Sequence, residues 1–459
     1  MGHLVAEQET AYDHLQGRLD RLLTGAPDAP AFRSILRLLF SPEEAEVAAA
    51  IPRACPLEVL ASRVGRDEAE LGALITGMAR RGLVFDLEHR GRRWVQLAPV
   101  VIGLYEFTFM RVREDAPMER LAQLFREYFR ADPAVVPARG FFEGSVQIGR
   151  ALVREEALDE APASEVLDWE RATAIVRDAR SVGVSLCPCR THARLLGEGC
   201  DAPVRTCLTL NAWADALCRA GIAERITNDE GLAILEEAKA AGLVQVADNV
   251  QRDVGYLCNC CGCCCGMLGA IRRLGMTHAV VSSSFVAATD REKCRGCKLC
   301  LRACPVDAIT MIDTEGRGPR RYWSVVDPDR CLGCGVCFPV CRWGGRAMVP
   351  RRQRAYTAVT GLERDLAMAL ERGKLGDYLA DTMEGQGPRG VAVALRILER
   401  LAPDDARRVI EPLGSAYLDA FTRSGAGPAV TEPDAVADPA IISAAFGPSS
   451  DRKHAPPRM

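Results

Sequence analysis

The sequence predicts an α+β protein assembled from several units, and three observations carry that prediction. Apolar residues recur at helical spacing through most of the first hundred positions and end in a short hairpin pattern. The middle of the chain mixes strand-like and helical runs and is dense in cysteine. A helical stretch then precedes a proline-rich end. At roughly 150 residues per domain, 459 residues suggest about three units. With 48% hydrophobic and 26% charged residues, the composition supports an ordinary packed core. The 58 basic and 61 acidic residues leave a net charge of -3, which gives no global attraction to nucleic acid or anionic membrane. Twenty cysteines against 6 histidines point away from a hydrolase built on imidazole ligands and toward sulfur-ligated metal.

Residues 1–30 carry Leu4, Tyr12, Leu15, Leu19, Leu22 and Leu23 at helical spacing, a leader helix that Gly25, Pro27 and Pro30 bring to a close. In residues 31–100, Phe32, Ile35, Leu36, Leu38 and Leu39 form a helical stripe. Ser41-Pro42-Glu43-Glu44 restarts a helix with proline in its first turn. Residues 57–64 and 67–81 pair as in a helix-turn-helix, and residues 83–85 and 94–97, joined through residues 89–93, form a wing; the stretch is winged-helix-like. A duplex reader places Lys and Arg at the start of its second helix, but this one begins Asp67-Glu68-Ala69-Glu70, which suits the helix dipole and repels phosphate. Only Arg90, Arg92 and Arg93 in the wing favour DNA, so a structural or docking role is the expectation, with DNA as the disfavoured partner.

Residues 101–180 read as a connecting region with an amphipathic helix over residues 117–129. Residues 181–289 form a cysteine-rich domain and residues 290–350 a second cysteine-rich unit; residues 351–422 look helical, and 423–459 is expected to be a disordered tail. Thr227 to Glu230 is a capping box, which predicts a helical hairpin from residues 208–220 and 228–241 that would bring the flanking cysteines together. Gly385 to Gly390 matches G-x-G-x-x-G, but the preceding residues 375–384 read as helix where a dinucleotide site needs a strand. Residues 1–17 carry Glu7, Glu9 and Asp13 and no apolar run. Residues 97–110, the longest nearly apolar stretch, are too short to span a bilayer. The expectation is a cytoplasmic chain with no membrane span, whose thiols stay reduced.

Two cysteine runs share one spacing. Cys294, Cys297, Cys300 and Cys304, followed by Pro305, form C-x2-C-x2-C-x3-C-P; Cys331, Cys334, Cys337 and Cys341 repeat it with Arg342 in place of proline. Three thiolates spaced two residues apart wrap a corner of an iron-sulfur cube, and the fourth, on the following helix, reaches the neighbouring cube. The runs resemble those of bacterial 2[4Fe-4S] ferredoxins. Carried over, that pattern implies one 4Fe-4S cluster on Cys294, Cys297, Cys300 and Cys341 and a second on Cys331, Cys334, Cys337 and Cys304. Two zinc ions are the bland alternative, but zinc sites usually pair two C-x2-C knuckles.

Twelve cysteines remain. Cys55 stands alone and reads as a small buried apolar residue, and Cys218 falls on a helical apolar stripe with Trp213 and Leu217. The other ten form two sets: Cys187, Cys189, Cys200 and Cys207, then Cys258, Cys260, Cys261, Cys263, Cys264 and Cys265. Thiolates this crowded repel one another unless cations compensate them. Because adjacent side chains point apart, only some of the second set are expected to be ligands of one extra centre. Three readings stand open: a further iron-sulfur centre, a four-thiolate zinc site, or thiols cycling between dithiol and disulfide. Arg190 and Arg194 add positive charge near the first set, and His192 reads as a hydrogen-bond partner more readily than as a ligand.

The winged-helix-like start, the Cys187-Pro188-Cys189-Arg190 segment and the run from Leu257 to Leu268 together resemble a family of 4Fe-4S dicluster ferredoxin-type proteins of anaerobic prokaryotes, over residues 31–345. The resemblance reinforces the iron-sulfur cofactors. The function expected is single-electron relay, by an electron-transfer protein or oxidoreductase component, between a redox partner and the upstream cysteine-rich centre. Two alternatives accompany it: a redox sensor acting on DNA through the winged helix, and a reductase of disulfides or small substrates using Cys258 to Cys265. No catalytic residue is assigned.

Overall fold

The computed structural model describes residues 2–89, 91–130, 137–142, 144–158, 168–313, 322–352 and 354–386. The expected tail over 423–459, most of the helical stretch beyond residue 386, and Arg90 lie outside the described residues.

A first core gathers the helices Gly2–Arg21, Pro30–Leu39, Pro42–Ala50, Leu57–Val64 and Glu68–Arg80. Tyr12, Leu15 and Leu19 of the leader helix are buried there with Phe32, Ile35 and Leu36 of the second, as the period of 3.6 requires. Ser41 and Glu44 form a reciprocal capping box, and Asp67 accepts from the backbone N–H groups of Ala69 and Glu70 at the start of the Glu68–Arg80 helix. A three-stranded sheet follows: β1 (Cys55–Pro56), β2 (Val84–His89) and β3 (Arg92–Leu97), in the order β1-β3-β2 and antiparallel throughout. The helix Met118–Arg130 packs on Pro30–Leu39, with the rings of Phe32 and Tyr128 stacked at 4.8 Å, so residues 105–130 complete this first core.

The middle unit is one six-stranded antiparallel sheet. Its strands are β4 (Gly149–Ala151), β5 (Val182–Leu186), β6 (Arg205–Leu210), β7 (Glu224–Ile226), β8 (Val244–Asp248) and β9 (Tyr256–Cys260), in the order β4-β8-β9-β6-β5-β7. The expected helical hairpin is replaced here. Residues 205–210 form a strand, a helix runs only over Asn211–Arg219, β7 intervenes, and the capped helix covers Asn228–Ala240. The Thr-, Leu- and Cys-containing run 206–210 suits a fully buried strand, a pattern that helical periodicity over so few residues cannot separate from a helix. The cysteine groups therefore meet through the β6–β9 pairing, with Leu208 opposite Leu257, and the hairpin plays no part in joining them.

The last strands form two ribbons. β10 (Phe285–Thr289) pairs with β13 (Arg346–Pro350), and β11 (Ile309–Asp313) pairs with β12 (Tyr322–Val326). The helices Gly361–Glu371 and Leu375–Gln386 then return toward the start of the chain. Asp365 pairs with Arg53 at 2.8 Å, Arg364 with Asp248, and Asp381 with Arg18 at 2.7 Å, tying the first core to the middle sheet. The helix preceding the G-x-G-x-x-G match is present. Among the described residues, no helix is long and apolar enough to cross a membrane.

Candidate metal centres

The eight cysteines of the repeated runs surround two cavities. One is lined by Cys294, Cys297, Cys300 and Cys341. The other is lined by Cys304, Cys331, Cys334 and Cys337. Each cavity thus takes three thiols from one run and the fourth from the other. The backbone makes this possible by left-handed turns at Gly296, Lys298, Gly333 and Gly335. At Gly333 the constraint is strictest, since a Cβ would lie 2.0 Å from the carbonyl oxygen of Phe285.

The two cavities differ in polarity. In the first, Arg346, 3% exposed, donates from Nη2 to Cys300 Sγ at 3.1 Å and to Ser324 Oγ at 2.8 Å, and Arg295 and Lys298 also line the wall. Trp343 leaves this cavity near solvent, being 44% exposed. The second is walled by Ala287, Val306, Ala308, Ile309, Leu332 and Met348. Its sulfurs receive backbone N–H groups, Ala308 N to Cys304 Sγ at 3.2 Å and Gly333 N to Cys331 Sγ at 3.4 Å. Burial pushes the Cys337 thiol up to about 12 and raises Cys334 further, so ionising these sulfurs requires a cation among them. The donor set, four thiols around a void with N–H groups aimed at sulfur, fits an iron-sulfur cube in each cavity.

Arg342, where a proline follows the first run, is solvent-exposed, and the turn after Cys341 is closed by Gly344 N–H bonding Cys341 O at 3.3 Å. Pro305 has a different task. It packs on Gly262 so closely that a Cβ there would lie 2.5 Å from the proline carbonyl oxygen. Arg272 reinforces the contact, donating to Gly262 O at 2.9 Å and to Asp307 at 2.8 Å. The upstream cysteine run is therefore pressed directly against the second cavity.

The ten upstream cysteines fall into two groups rather than around one centre. Cys200, Cys261, Cys263 and Cys264 have sulfurs all within 4.8 Å of one another. Of the other six, Cys189, Cys207, Cys258, Cys260 and Cys265 form a chain of thiol contacts, Cys207 to Cys258, Cys258 to Cys260, Cys260 to Cys265 and Cys265 to Cys189, and Cys187 faces Cys258 and Cys265. Pleating explains part of this split. Cys258 and Cys260, two apart on β9, share a face, while Asn259 points the other way and binds Thr206 O at 2.9 Å. Cys187 caps the helix Pro188–Leu195 and Cys265 caps Gly266–Leu274. The turn after β9 then swings Cys261, Cys263 and Cys264 outward, and it brings the adjacent Cys263 and Cys264 to 3.7 Å where neighbours were expected to diverge.

Arg190 lies between the two groups with no exposed surface, donating to Asn259 O at 3.0 Å and to Thr206. Its charge also faces Cys187, Cys260 and Cys261, and its Nε has no protein partner. Burial pushes the Cys187 thiol up to about 12, against that arginine's pull. His192 is no ligand candidate: its Nδ1 meets Tyr105 Oη at 3.0 Å and its Nε2 meets Ala122 O at 2.8 Å. Cys55 is buried in the first core, and Cys218 is half-buried beside Gly183. Sequence reasoning missed Arg346 and the Gly262–Pro305 contact. Arg346 lies outside any cysteine spacing, and a contact between distant loops leaves no local pattern.

This arrangement defines an iron-sulfur protein with a ferredoxin-like domain. Residues 293–344 match the family of 4Fe-4S dicluster domains. The chain matches no curated protein and no solved structure.

Proposed function

We propose that this chain is an electron-transfer protein or redox-enzyme subunit that relays single electrons through two 4Fe-4S clusters to the upstream cysteines. One cluster is assigned to Cys294, Cys297, Cys300 and Cys341, the other to Cys304, Cys331, Cys334 and Cys337. The observation that carries the reading is the crossed lining of the two cavities, four thiols each. When bound, the clusters supply reversible one-electron chemistry.

The chain's own residues set relative potential and insulation. Arg346 and the partly exposed wall around Trp343 favour the extra negative charge at the first cavity, so this centre is the easier to reduce and the natural contact for a redox partner. The apolar wall of the second cavity excludes water and connects through Pro305 and Gly262 to the upstream thiols. The six thiols grouped there, Cys187, Cys189, Cys207, Cys258, Cys260 and Cys265, suit a further iron-sulfur centre. Three of them are buried, which disfavours thiol exchange with a substrate.

The first hundred residues are assigned as a winged-helix-like docking or structural module. Among the described residues of the wing, Arg92 is ion-paired with Glu58 and Arg93 with Asp86 at 2.9 Å, which leaves these two little free charge for phosphate. The test is an anaerobic titration of reconstituted protein with a one-electron reductant, followed by EPR. Two one-electron uptakes are expected from the ferredoxin domain, one abolished by Cys297→Ser and the other by Cys334→Ser. Both uptakes surviving in both variants would overturn the assignment.

A further inference from the structure

We infer that Cys200, Cys261, Cys263 and Cys264 bind a single zinc ion, in a four-thiolate site separate from every iron-sulfur centre. The inference goes beyond the relay and does not depend on it.

Sulfur spacing is the first argument. Four thiolates at about 2.3 Å from one tetrahedral zinc ion sit about 3.8 Å from each other. The separations here are 3.8 Å for Cys200 to Cys261, 3.7 Å for Cys200 to Cys264 and 3.7 Å for Cys263 to Cys264. A cube spreads its thiolates over four different irons and holds them farther apart. The same contrast exists within this chain. Among the described residues, only this quartet brings three or more candidate ligand atoms within 4.8 Å of one another, and the cysteines lining the two cavities do not.

The surroundings supply the second argument. Four thiolates on a divalent ion leave a net charge of about -2. Fully buried Arg190 faces Cys261, and its Nε has no protein partner. Arg194 fastens the loop carrying Cys200, donating to Cys200 O at 3.3 Å and Ala202 O at 3.2 Å, and Arg272 fastens the turn at Gly262 O. These contacts fix the backbone from which the thiols project, as hydrogen bonds behind metal ligands do. Loading the ion releases the thiol protons to solvent and involves no electron transfer. Cys263 is exposed, which gives the ion a path in.

The site's consequence is mechanical. The ion joins the loop at Cys200 to the 261–264 turn, and that turn carries Gly262 against Pro305. A redox-inert ion therefore holds the upstream thiols in register with the second cavity.

The experiment measures zinc, iron and sulfide on anaerobically purified full-length protein, with Cys200→Ser and Cys263→Ser as variants. Wild type is expected to hold about one zinc per chain, by the four-ligand count of a closed site. Each variant should lose most of that zinc while keeping the iron and sulfide of the ferredoxin domain. As a readout that needs no variant, cobalt added to zinc-depleted wild type should saturate at one equivalent, with the visible absorption of tetrahedral thiolate-bound cobalt. Zinc-free wild type whose iron and sulfide both fall in Cys200→Ser would overturn the proposal, as would cobalt that shows no tetrahedral thiolate spectrum. Colourless protein that still binds one zinc would defeat the relay and leave the zinc site standing.

Discussion

Arg346 is the residue through which the electrostatics of the relay can be tested most sharply. Its guanidinium is buried and lies 3.1 Å from Cys300 Sγ. At an effective dielectric of about 20, a unit charge at that separation is worth about 5 kcal/mol. The electron added on reduction is spread over the cluster; if about a quarter to a half of it is felt at that distance, the arginine favours the reduced form by about 1–3 kcal/mol. For a one-electron couple, at 59 mV per 1.4 kcal/mol, that is on the order of 50–120 mV. Arg346→Met should therefore lower the midpoint potential of the more exposed cluster by that amount and leave the other nearly unchanged. Arg346→Lys should keep most of the wild-type value. The assay is an EPR-monitored potentiometric titration, with iron content measured to confirm equal loading. A potential unmoved in Arg346→Met at full iron content would refute the assignment of Cys300 as a ligand beside this charge.

Gly333→Ala must place a Cβ 2.0 Å from Phe285 O in a left-handed turn that itself costs about 1–2 kcal/mol, so this variant should lose the second cluster, read as roughly half the iron of the two-cluster domain. Gly262→Val should leave iron content intact and slow electron transfer between the ferredoxin domain and the upstream thiols, measured by rapid mixing with a one-electron donor. Asp365→Asn removes the partner of Arg53 and Arg364 and should weaken docking of the 361–371 helix by about 2 kcal/mol, seen as faster amide exchange confined to that helix and its neighbours. Duplex DNA should show no salt-sensitive binding above that of Arg92→Gln, by fluorescence anisotropy.

Local chemistry made the ferredoxin domain legible. Cysteine spacing marks the two runs, and the match of residues 293–344 to the 4Fe-4S dicluster domains falls on them. Helix boundaries were equally readable where caps mark them, as at Ser41 and Asp67 in the first core and Thr227 in the middle unit. The middle sheet was harder. Residues 206–210 are apolar or β-compatible on both faces, so neither a period of two nor one of 3.6 identifies them, and the cysteine convergence was attributed to helices instead. The division of ten upstream cysteines into six and four was likewise hidden. It depends on the pleat of β9 and on the turn after it, which sends consecutive thiols to different sites. Arg346 and Gly262 act across the fold, through partners 46 and 43 residues away.

The central claim is that two cubes of iron and sulfide are held by crossed sets of four cysteines. Iron and acid-labile sulfide analysis of oxygen-free protein, with low-temperature EPR after dithionite reduction, tests it directly. The account predicts at least about eight irons with matching sulfide per chain and two magnetically interacting clusters. Protein that stays colourless and EPR-silent after reconstitution, or that carries zinc in place of iron on these eight cysteines, would contradict it.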